Sequence, residues 1–311
     1  MSEAILNNPL NNSHLDALEE ETIFILREVA AAFERPTLLF SGGKDSLVML
    51  KCAEKAFVDK QKGGYIPYPL LMIDTGHNFK EVTDFRDFRA NELGAELIVR
   101  SVEDSMKRGT VRLAHPGESR NVHQSVTLLD SIEEFKFDAL IGGARRDEEK
   151  ARAKERIFSV RDPGHRWNPR EQRPELWRTY NTRLAPEQTM RVFPISDWTE
   201  ADIWHYILQE RIEVNPLYFA QERPMVQRGD QMIMVDDDRF QLRDGETPFM
   251  KMVRFRTLGC YPLSGAIESN ANSVEDIIAE IEASKFSERQ GRLIDSDQAG
   301  SMEKKKLEGY F

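Results

Sequence analysis

The chain has 311 residues, of which 40% are apolar and 31% are charged, and its formal net charge is −10 at pH 7. These values are typical of a globular protein with one or two domains, and the acidic charge disfavours a nucleic-acid partner. Two cysteines, Cys52 and Cys260, are too few for a disulfide scaffold or a four-cysteine zinc site. The sequence shows no leader-like or membrane-spanning apolar run, so we expect a cytoplasmic protein with no membrane partner.

Predicted strands and helices alternate through most of the chain. The predicted strands are residues 37–40, 70–73, 96–100, 139–141 and 190–195. The predicted helices are residues 19–33, 47–58, 78–93, 122–135 and 199–210. Apolar strands that alternate with helices indicate an α/β fold with a parallel sheet covered by helices on both faces. In such a fold ligands bind beyond the carboxyl ends of the strands.

The first predicted strand is followed by a glycine-rich loop of sequence SGGKDS. Its glycines let the backbone approach a ligand, and the free amides at the start of the next helix attract an anion. The sequence contains neither G-x-x-x-x-G-K-[ST] nor G-x-G-x-x-G, which excludes the common phosphate and dinucleotide loops. We predict a pyrophosphate site, with an ordinary tight turn as the alternative. The predicted binding residues are Ser41, Gly42, Gly43, Lys44, Asp45 and Ser46.

Other predicted strands also end in polar residues. The second ends at Asp74, which we expect beside the nucleotide, and the fourth ends before Arg145 and Arg146. Guanidinium groups bind oxyanions through two hydrogen bonds, so these arginines suit a second anion site. They open a stretch, residues 141–183, that holds twelve Lys or Arg and seven Asp or Glu, and we interpret it as the lining of an anion pocket. The end of the fifth strand, before a helix capped by Thr199, is interpreted as mainly structural.

The pattern changes after residue 214. A hairpin is predicted over residues 231–242, with three aspartates, 236–238, in its exposed turn. A helix is predicted over residues 274–283, and the chain ends in a basic and then aromatic tail that closes with Tyr310 and Phe311.

Several segments carry a resemblance to a known family. The SGGKDS loop resembles the pyrophosphate-binding loop of the ATP-pyrophosphatase enzymes. Longer blocks resemble the small, catalytic subunit of the bacterial two-subunit sulfate adenylyltransferase, and the likeness runs from about residue 19 to the end. These blocks are residues 142–150, 153–156, 165–167, 172–177, 253–260, 301–303 and 309–311.

The resemblance implies a fold, a reaction and a partner. It implies an adenine-nucleotide alpha-hydrolase-like (PP-loop) domain over residues 19–214 and a C-terminal extension over residues 215–311. ATP, with Mg²⁺, and sulfate would give adenosine 5′-phosphosulfate and pyrophosphate, the first step of sulfate assimilation. A large GTPase subunit would bind this chain and hydrolyse GTP, which would bind there and not on this chain.

The resemblance also implies roles for particular residues. Lys44, Arg145 and Arg146 would be catalytic, and the two arginines would hold sulfate together with His165 and Arg166. No protein-bound metal site is expected.

Two departures from the family and several alternatives remain. Small subunits usually carry a bulkier residue at the position of Gly42 and a tryptophan at the position of His77. A thiol-dependent reductase of phosphoadenylyl sulfate shares the fold but needs a nucleophilic cysteine near its C-terminus, where this chain offers only Cys260. A sulfur-inserting tRNA enzyme would need more cysteines and a basic surface. A non-catalytic nucleotide sensor would not need the two arginines.

Overall fold

The structure is a computed structural model. It describes residues 12–59, 63–113, 120–148, 150–235, 237, 240–260 and 264–283. The predicted C-terminal tail and two of the three aspartates in the predicted hairpin turn lie outside the described residues.

The central feature is a six-stranded sheet with the order β3-β2-β1-β4-β6-β5. Its strands are β1 (Pro36–Leu39), β2 (Leu70–Asp74), β3 (Leu97–Ser101), β4 (Ala139–Ile141), β5 (Phe158–Arg161) and β6 (Thr189–Val192). Five strands are parallel, which confirms the predicted sheet, and Leu38 of β1 lies opposite both Leu70 and Ile141. The edge strand β5 was not predicted, and it pairs antiparallel with β6.

Helices cover both faces of this sheet. They are α1 (Ser13–Ala32), α2 (Lys44–Phe57), α3 (Lys80–Glu92), α4 (Val102–Arg108), α5 (Gln124–Phe135), α6 (Lys150–Ala153), α7 (Glu200–Glu210) and α8 (Val274–Ala283). Leu38 and Phe40 point into a large core shared with α1, α2, α7 and α8. Leu140 points to the opposite face, where α5 supplies Leu128 and Ile132. Because side chains alternate along a strand, short apolar strands supply both cores.

The strand order reverses between β1 and β4. Helices α2 and α3 pack into the core on one face, whereas α5, which leads into β4, packs on the other. The connections thus change faces where the strand order reverses, and we call the region at the adjacent carboxyl ends of β1 and β4 the crevice. This topological switch point is where open α/β sheets bind ligands.

The C-terminal part adds four antiparallel strands. They are β7 (Gln221–Arg228), β8 (Gln231–Met234), β9 (Phe249–Arg254) and β10 (Gly265–Glu268), and they close into a small barrel in the order β10-β8-β7-β9. The predicted hairpin is wrong in its partner, because β8 pairs with β7. Gly229 adopts φ +60° in the turn that joins them, a conformation that glycine accepts without strain.

The barrel and the last helix pack against the α/β unit. The rings of Phe79, which precedes α3, and Phe255, which follows β9, lie 5.0 Å apart. Ile277 and Ile278 of α8 join the large core beside α7. The division after residue 214 stays a prediction. Among the helices in the described part of the chain, none is both long and apolar enough to span a membrane.

Candidate active site

The SGGKDS loop lies at the carboxyl end of β1, as predicted, and leads directly into α2. Gly42 has φ +73°, and a Cβ atom there would lie 3.6 Å from the carbonyl oxygen of Val82. Glycine is therefore the unstrained residue at this departure from the family pattern. The Gly43 N–H donates to Ser41 Oγ (3.3 Å), and the Ser46 hydroxyl donates to the Gly43 carbonyl (2.9 Å). The helix begins at Lys44, three residues earlier than predicted, so its first turn faces the crevice.

Lys44 is buried and is held by the C-terminal extension. Its Nζ donates to the main-chain carbonyl of Arg256 (3.1 Å) and lies 3.7 Å from Asp45 Oδ2. Its backbone N–H donates to the Tyr218 hydroxyl (2.8 Å). An ammonium group leaves water only where oxygen atoms compensate it, so residues remote in sequence fix the loop lysine.

Arg145 joins the loop after β4 to the loop after β1. Its side chain is fully buried, with Nε 2.7 Å from Asp45 Oδ1 and Nη1 2.6 Å from Asp147 Oδ1. A Cβ atom at Gly143 would lie 3.3 Å from Asp45 Cβ, so the missing side chain permits this close approach. The predicted juxtaposition of the pyrophosphate loop with Arg145 is thus present.

Two further residues complete a closed set of contacts. The Glu200 N–H, at the start of α7, donates to Asp147 Oδ2 (2.9 Å). Glu200 Oε2 in turn accepts a hydrogen bond from Arg256 Nη2 (2.5 Å). The Arg256 carbonyl accepts the hydrogen bond from Lys44 Nζ, which closes the set. We call this set the site ring. Its members are Lys44, Asp45, Arg145, Asp147, Glu200 and Arg256.

The site ring balances three cations with three carboxylates. Lys44 and Arg145 are buried, whereas Asp45 and Asp147 are partly exposed. A buried charge is tolerated when it is paired, so the ring keeps positively charged side chains in place at the crevice. Tyr218 and Arg256 were not predicted as site residues, because no local pattern links them to Lys44, which lies 174 and 212 residues earlier.

Arg146 differs from its neighbour in exposure. The backbone N–H of Arg146 donates to the Ser196 carbonyl (2.9 Å). Its guanidinium group pairs with Asp197, and its side chain is 31% exposed. Arg146 therefore lies at the carboxyl edge of the sheet within reach of a dissolved anion, whereas both sides of Arg145 contact carboxylates.

Asp74 follows β2 at the same edge. Its Oδ1 accepts hydrogen bonds from the Gly76 N–H (2.7 Å) and from Asn78 Nδ2 (2.8 Å), so it orders its own turn. The His77 N–H donates to Thr75 Oγ1 (3.2 Å) in the same turn. The turn lies beside the pyrophosphate loop, because β1 and β2 are adjacent parallel strands.

The two cysteines are buried. Cys260 Sγ lies 3.0 Å from Thr75 Oγ1, and burial raises the pKa of the Cys52 thiol to about 12. A reductase needs an accessible thiolate in electropositive surroundings, which a buried cysteine does not provide.

His165 and Arg166 lie at the amino edge of the sheet, the end where its parallel strands begin. Because β5 runs antiparallel to β6, it ends where β6 begins, at the amino edge. His165 Nδ1 is 3.4 Å from Thr189 Oγ1, and its Nε2 is 3.1 Å from Glu133 Oε1, near the end of α5. The hydrogen bond from His165 is the main cause that lowers the pKa of Glu133. The structure does not bring these two residues to the SGGKDS loop.

The basic stretch does not line one pocket. Arg152 pairs with Glu148 (2.5 Å), and buried Arg161 pairs with buried Glu155 (2.6 Å). Burial lowers the pKa of Arg161, since only part of its charge is compensated. These two arginines therefore pair with carboxylates inside the fold and do not line an anion pocket.

Within the described ranges, no group of three or more His, Cys, Asp or Glu side chains is arranged to hold a metal ion. The candidate site offers instead one partly exposed carboxylate, Asp45, inside the loop.

Comparisons with known proteins identify relatives of this chain. Residues 35–266 match the family model described as the phosphoadenosine phosphosulfate reductase domain. Sulfate adenylyltransferase subunit 2 of Hahella chejuensis is 54% identical over 302 residues, which cover 97% of this chain and 99% of the relative. The same subunit of Brucella anthropi is 54% identical over 303 residues, covering 97% of each. Candida glabrata FMN adenylyltransferase aligns with 90% of this chain and 88% of its own, at 14% identity and TM-score 0.48.

Proposed function

Since this chain belongs to the family of sulfate adenylyltransferase subunit 2, we propose that it transfers the adenylyl group of ATP to sulfate. The products are adenosine 5′-phosphosulfate and pyrophosphate. The observation that carries the proposal is the site ring, which joins the SGGKDS loop to the Arg145-Arg146 segment at the switch point of the sheet.

The loop residues Ser41 to Ser46 hold the β and γ phosphates, which leave as pyrophosphate. Backbone amides and Lys44 stabilise the charge that develops on this leaving group. Lys44 Nζ exchanges its contact with the Arg256 carbonyl for a phosphate oxygen, and the Asp45 carboxylate remains beside it. Asp74, at the end of the adjacent strand, lies beside the nucleotide.

A Mg²⁺ ion bound to the incoming ATP would supply positive charge beside the departing pyrophosphate. Magnesium takes one or two carboxylates together with phosphate oxygens and water. Asp45 fits this use, because it is partly exposed within the loop that holds the phosphates.

The two arginines have different tasks. Arg146, which is partly exposed and paired with solvent-facing Asp197, binds the sulfate oxygens bidentately. Arg145 holds Asp45 and Asp147 in place and acts as a positioning residue. A sulfate oxygen then attacks the α-phosphorus in line with the leaving pyrophosphate. His165 and Arg166 take no part, because they lie at the other edge of the sheet.

A second subunit completes the enzyme. The relatives' designation as subunit 2 supports a partner, and we assign to it GTPase activity with GTP bound there. Transfer of an adenylyl group to sulfate is strongly uphill, so coupling to GTP hydrolysis supplies the driving force. We place the reaction in the cytoplasm as the first step of sulfate assimilation.

The test is pyrophosphate release from ATP, measured with and without sulfate and with and without the GTPase subunit and GTP. The expected result is release that requires sulfate and increases with the partner and GTP. ATP binding without release under any of these conditions would indicate a nucleotide sensor. Thiol-dependent release of sulfite from phosphoadenylyl sulfate, abolished by Cys260→Ser, would indicate a reductase.

A further inference from the structure

A tryptophan outside the site ring is almost fully exposed. Trp177 is 91% exposed and the adjacent Leu176 is 58% exposed. The other three tryptophans, Trp167, Trp198 and Trp204, are buried. Tryptophan gains more than other residues from burial and is enriched at the centres of protein interfaces. An exposed Trp-Leu pair therefore points to a surface that a partner covers.

The backbone presents this tryptophan in an unfavourable conformation. Trp177 has φ +51° and ψ +36°, and Arg178 has φ +56°, so two consecutive residues with large side chains adopt left-handed geometry. Such conformations are costly and persist only where neighbouring contacts impose them.

Contacts on both sides of the turn impose the conformation. The Glu175 carboxylate accepts hydrogen bonds from the N–H groups of Ile157 (3.0 Å) and Phe158 (2.7 Å). The Tyr180 ring stacks on Phe158 with centroids 5.0 Å apart, and its hydroxyl donates to Glu21 (2.7 Å). The turn is thus fixed to the edge strand β5 and to α1, and Trp177 projects from a rigid support.

Positive charge accompanies the exposed pair. Residues 166–183 carry five exposed arginines but one exposed carboxylate, Glu171, in a chain whose net charge is −10. The exposed arginines are Arg166, Arg170, Arg173, Arg178 and Arg183. A partner with an apolar pocket and an acidic rim complements this surface.

We infer that residues 173–178 are the docking turn for the second subunit of the enzyme, which seats Trp177 in an apolar pocket rimmed by acidic residues. The inference rests on the proposed function, because only a two-subunit enzyme supplies this partner. The chain's own segment 284–311 does not complement the surface, since it holds six Lys or Arg and five Asp or Glu. The edge strand β5, on which the turn is anchored, is separated from β4 by β6.

Trp177 itself reports on the contact, because it is the tryptophan that acrylamide reaches in solution. The full chain is titrated with the purified GTPase subunit while tryptophan emission and acrylamide quenching are recorded against a Trp177→Phe sample. Complex formation is expected to shift the Trp177 emission to shorter wavelength and to protect it from acrylamide. Protection that appears with increasing concentration of this chain alone would assign the turn to a second copy and overturn the inference.

Affinity measurements on variants complete the test. Trp177→Gly suits the left-handed backbone, so the chain stays folded, and it is expected to weaken binding of the GTPase subunit at least about 30-fold. Tyr65→Ala, which removes another exposed aromatic ring, is expected to leave binding unchanged. Arg173→Glu is expected to slow association and reduce its salt dependence, whereas Lys107→Glu, at an exposed position of α4, is the charge control.

The outcomes separate this inference from the proposed function. Trp177→Gly binding the GTPase subunit as tightly as the unsubstituted chain would overturn the docking turn, whatever the activity. Tight binding through Trp177 without sulfate-dependent pyrophosphate release would support the docking turn and contradict the proposed reaction.

Discussion

Charged residues have different roles at the two ends of the central sheet, the end where its parallel strands finish (the carboxyl edge) and the end where they begin (the amino edge). At the carboxyl edge, six charged residues from four segments close the site ring around a crevice. At the amino edge, His165 contacts Glu133 and Thr189, and buried Arg161 pairs with Glu155, within the packing around β5. Strand direction, and not distance along the chain, therefore decides which basic residues of the 141–183 stretch can meet a substrate.

The largest effect is expected at the pyrophosphate loop. Lys44→Ala removes a cation that stabilises the leaving group, so kcat should fall about 1,000-fold while the chain stays folded. Pyrophosphate release and thermal unfolding measure the two properties. Lys51→Ala, which lies seven residues farther along α2 and is paired with Glu54, is the matched control. Near-normal turnover by Lys44→Ala would contradict the assignment of the loop to the pyrophosphate site.

The next effect concerns the closure of the site ring. Glu200 is mostly buried, and Arg256→Met removes the guanidinium group that pairs with it. We therefore expect a loss of about 3 kcal/mol in the free energy of unfolding. Glu200→Gln should cost less, and the double variant should recover part of the loss because neither charge is then left alone. Urea unfolding of the four proteins gives the coupling free energy. Strictly additive losses would mean that the two residues act separately.

The third effect divides the two arginines. Arg146→Ala should raise the KM for sulfate about 10- to 30-fold, as expected for a lost charged hydrogen bond, with a smaller change in kcat. Arg145→Ala should instead lower kcat/KM for ATP, because Asp45 loses its support. Initial-rate measurements with each substrate varied in turn distinguish the two patterns. An unchanged sulfate KM in Arg146→Ala would contradict its assignment.

The smallest effect is expected at the amino edge. His165→Ala should leave the KM for sulfate within about twofold, because the residue lies away from the crevice, and should cost roughly 0.5 kcal/mol of stability. The Glu133 side chain is 65% exposed, so solvent screens its pair with His165. Since the folded-state pKa of Glu133 is lowered, this stability is present above its unfolded pKa and is lost as pH falls through the folded value. Urea unfolding between pH 3 and 7 should therefore show the variant and the unsubstituted chain converging at the acidic end.

The sequence carried enough information for the parallel sheet and for the SGGKDS loop, because both depend on local patterns of apolar residues and glycines. Arg145 was also predictable, since it follows a strand at the same edge. Tyr218 and Arg256 were not, because their contacts with Lys44 depend on how the C-terminal barrel packs against the α/β unit. The resemblance suggested His165 and Arg166 for the site, but no sequence pattern indicated the antiparallel strand β5, which carries the chain to the amino end of the sheet before these residues.

The most direct measurement locates the oxyanion itself. A crystal structure of the chain with a non-hydrolysable ATP analogue, Mg²⁺ and selenate in place of sulfate would reveal selenium by anomalous scattering. The proposed site predicts phosphates on residues 41–46 and a selenium peak beside the Arg146 guanidinium, at the carboxyl end of β4. A selenium peak beside His165 and Arg166, with none in the crevice, would contradict it.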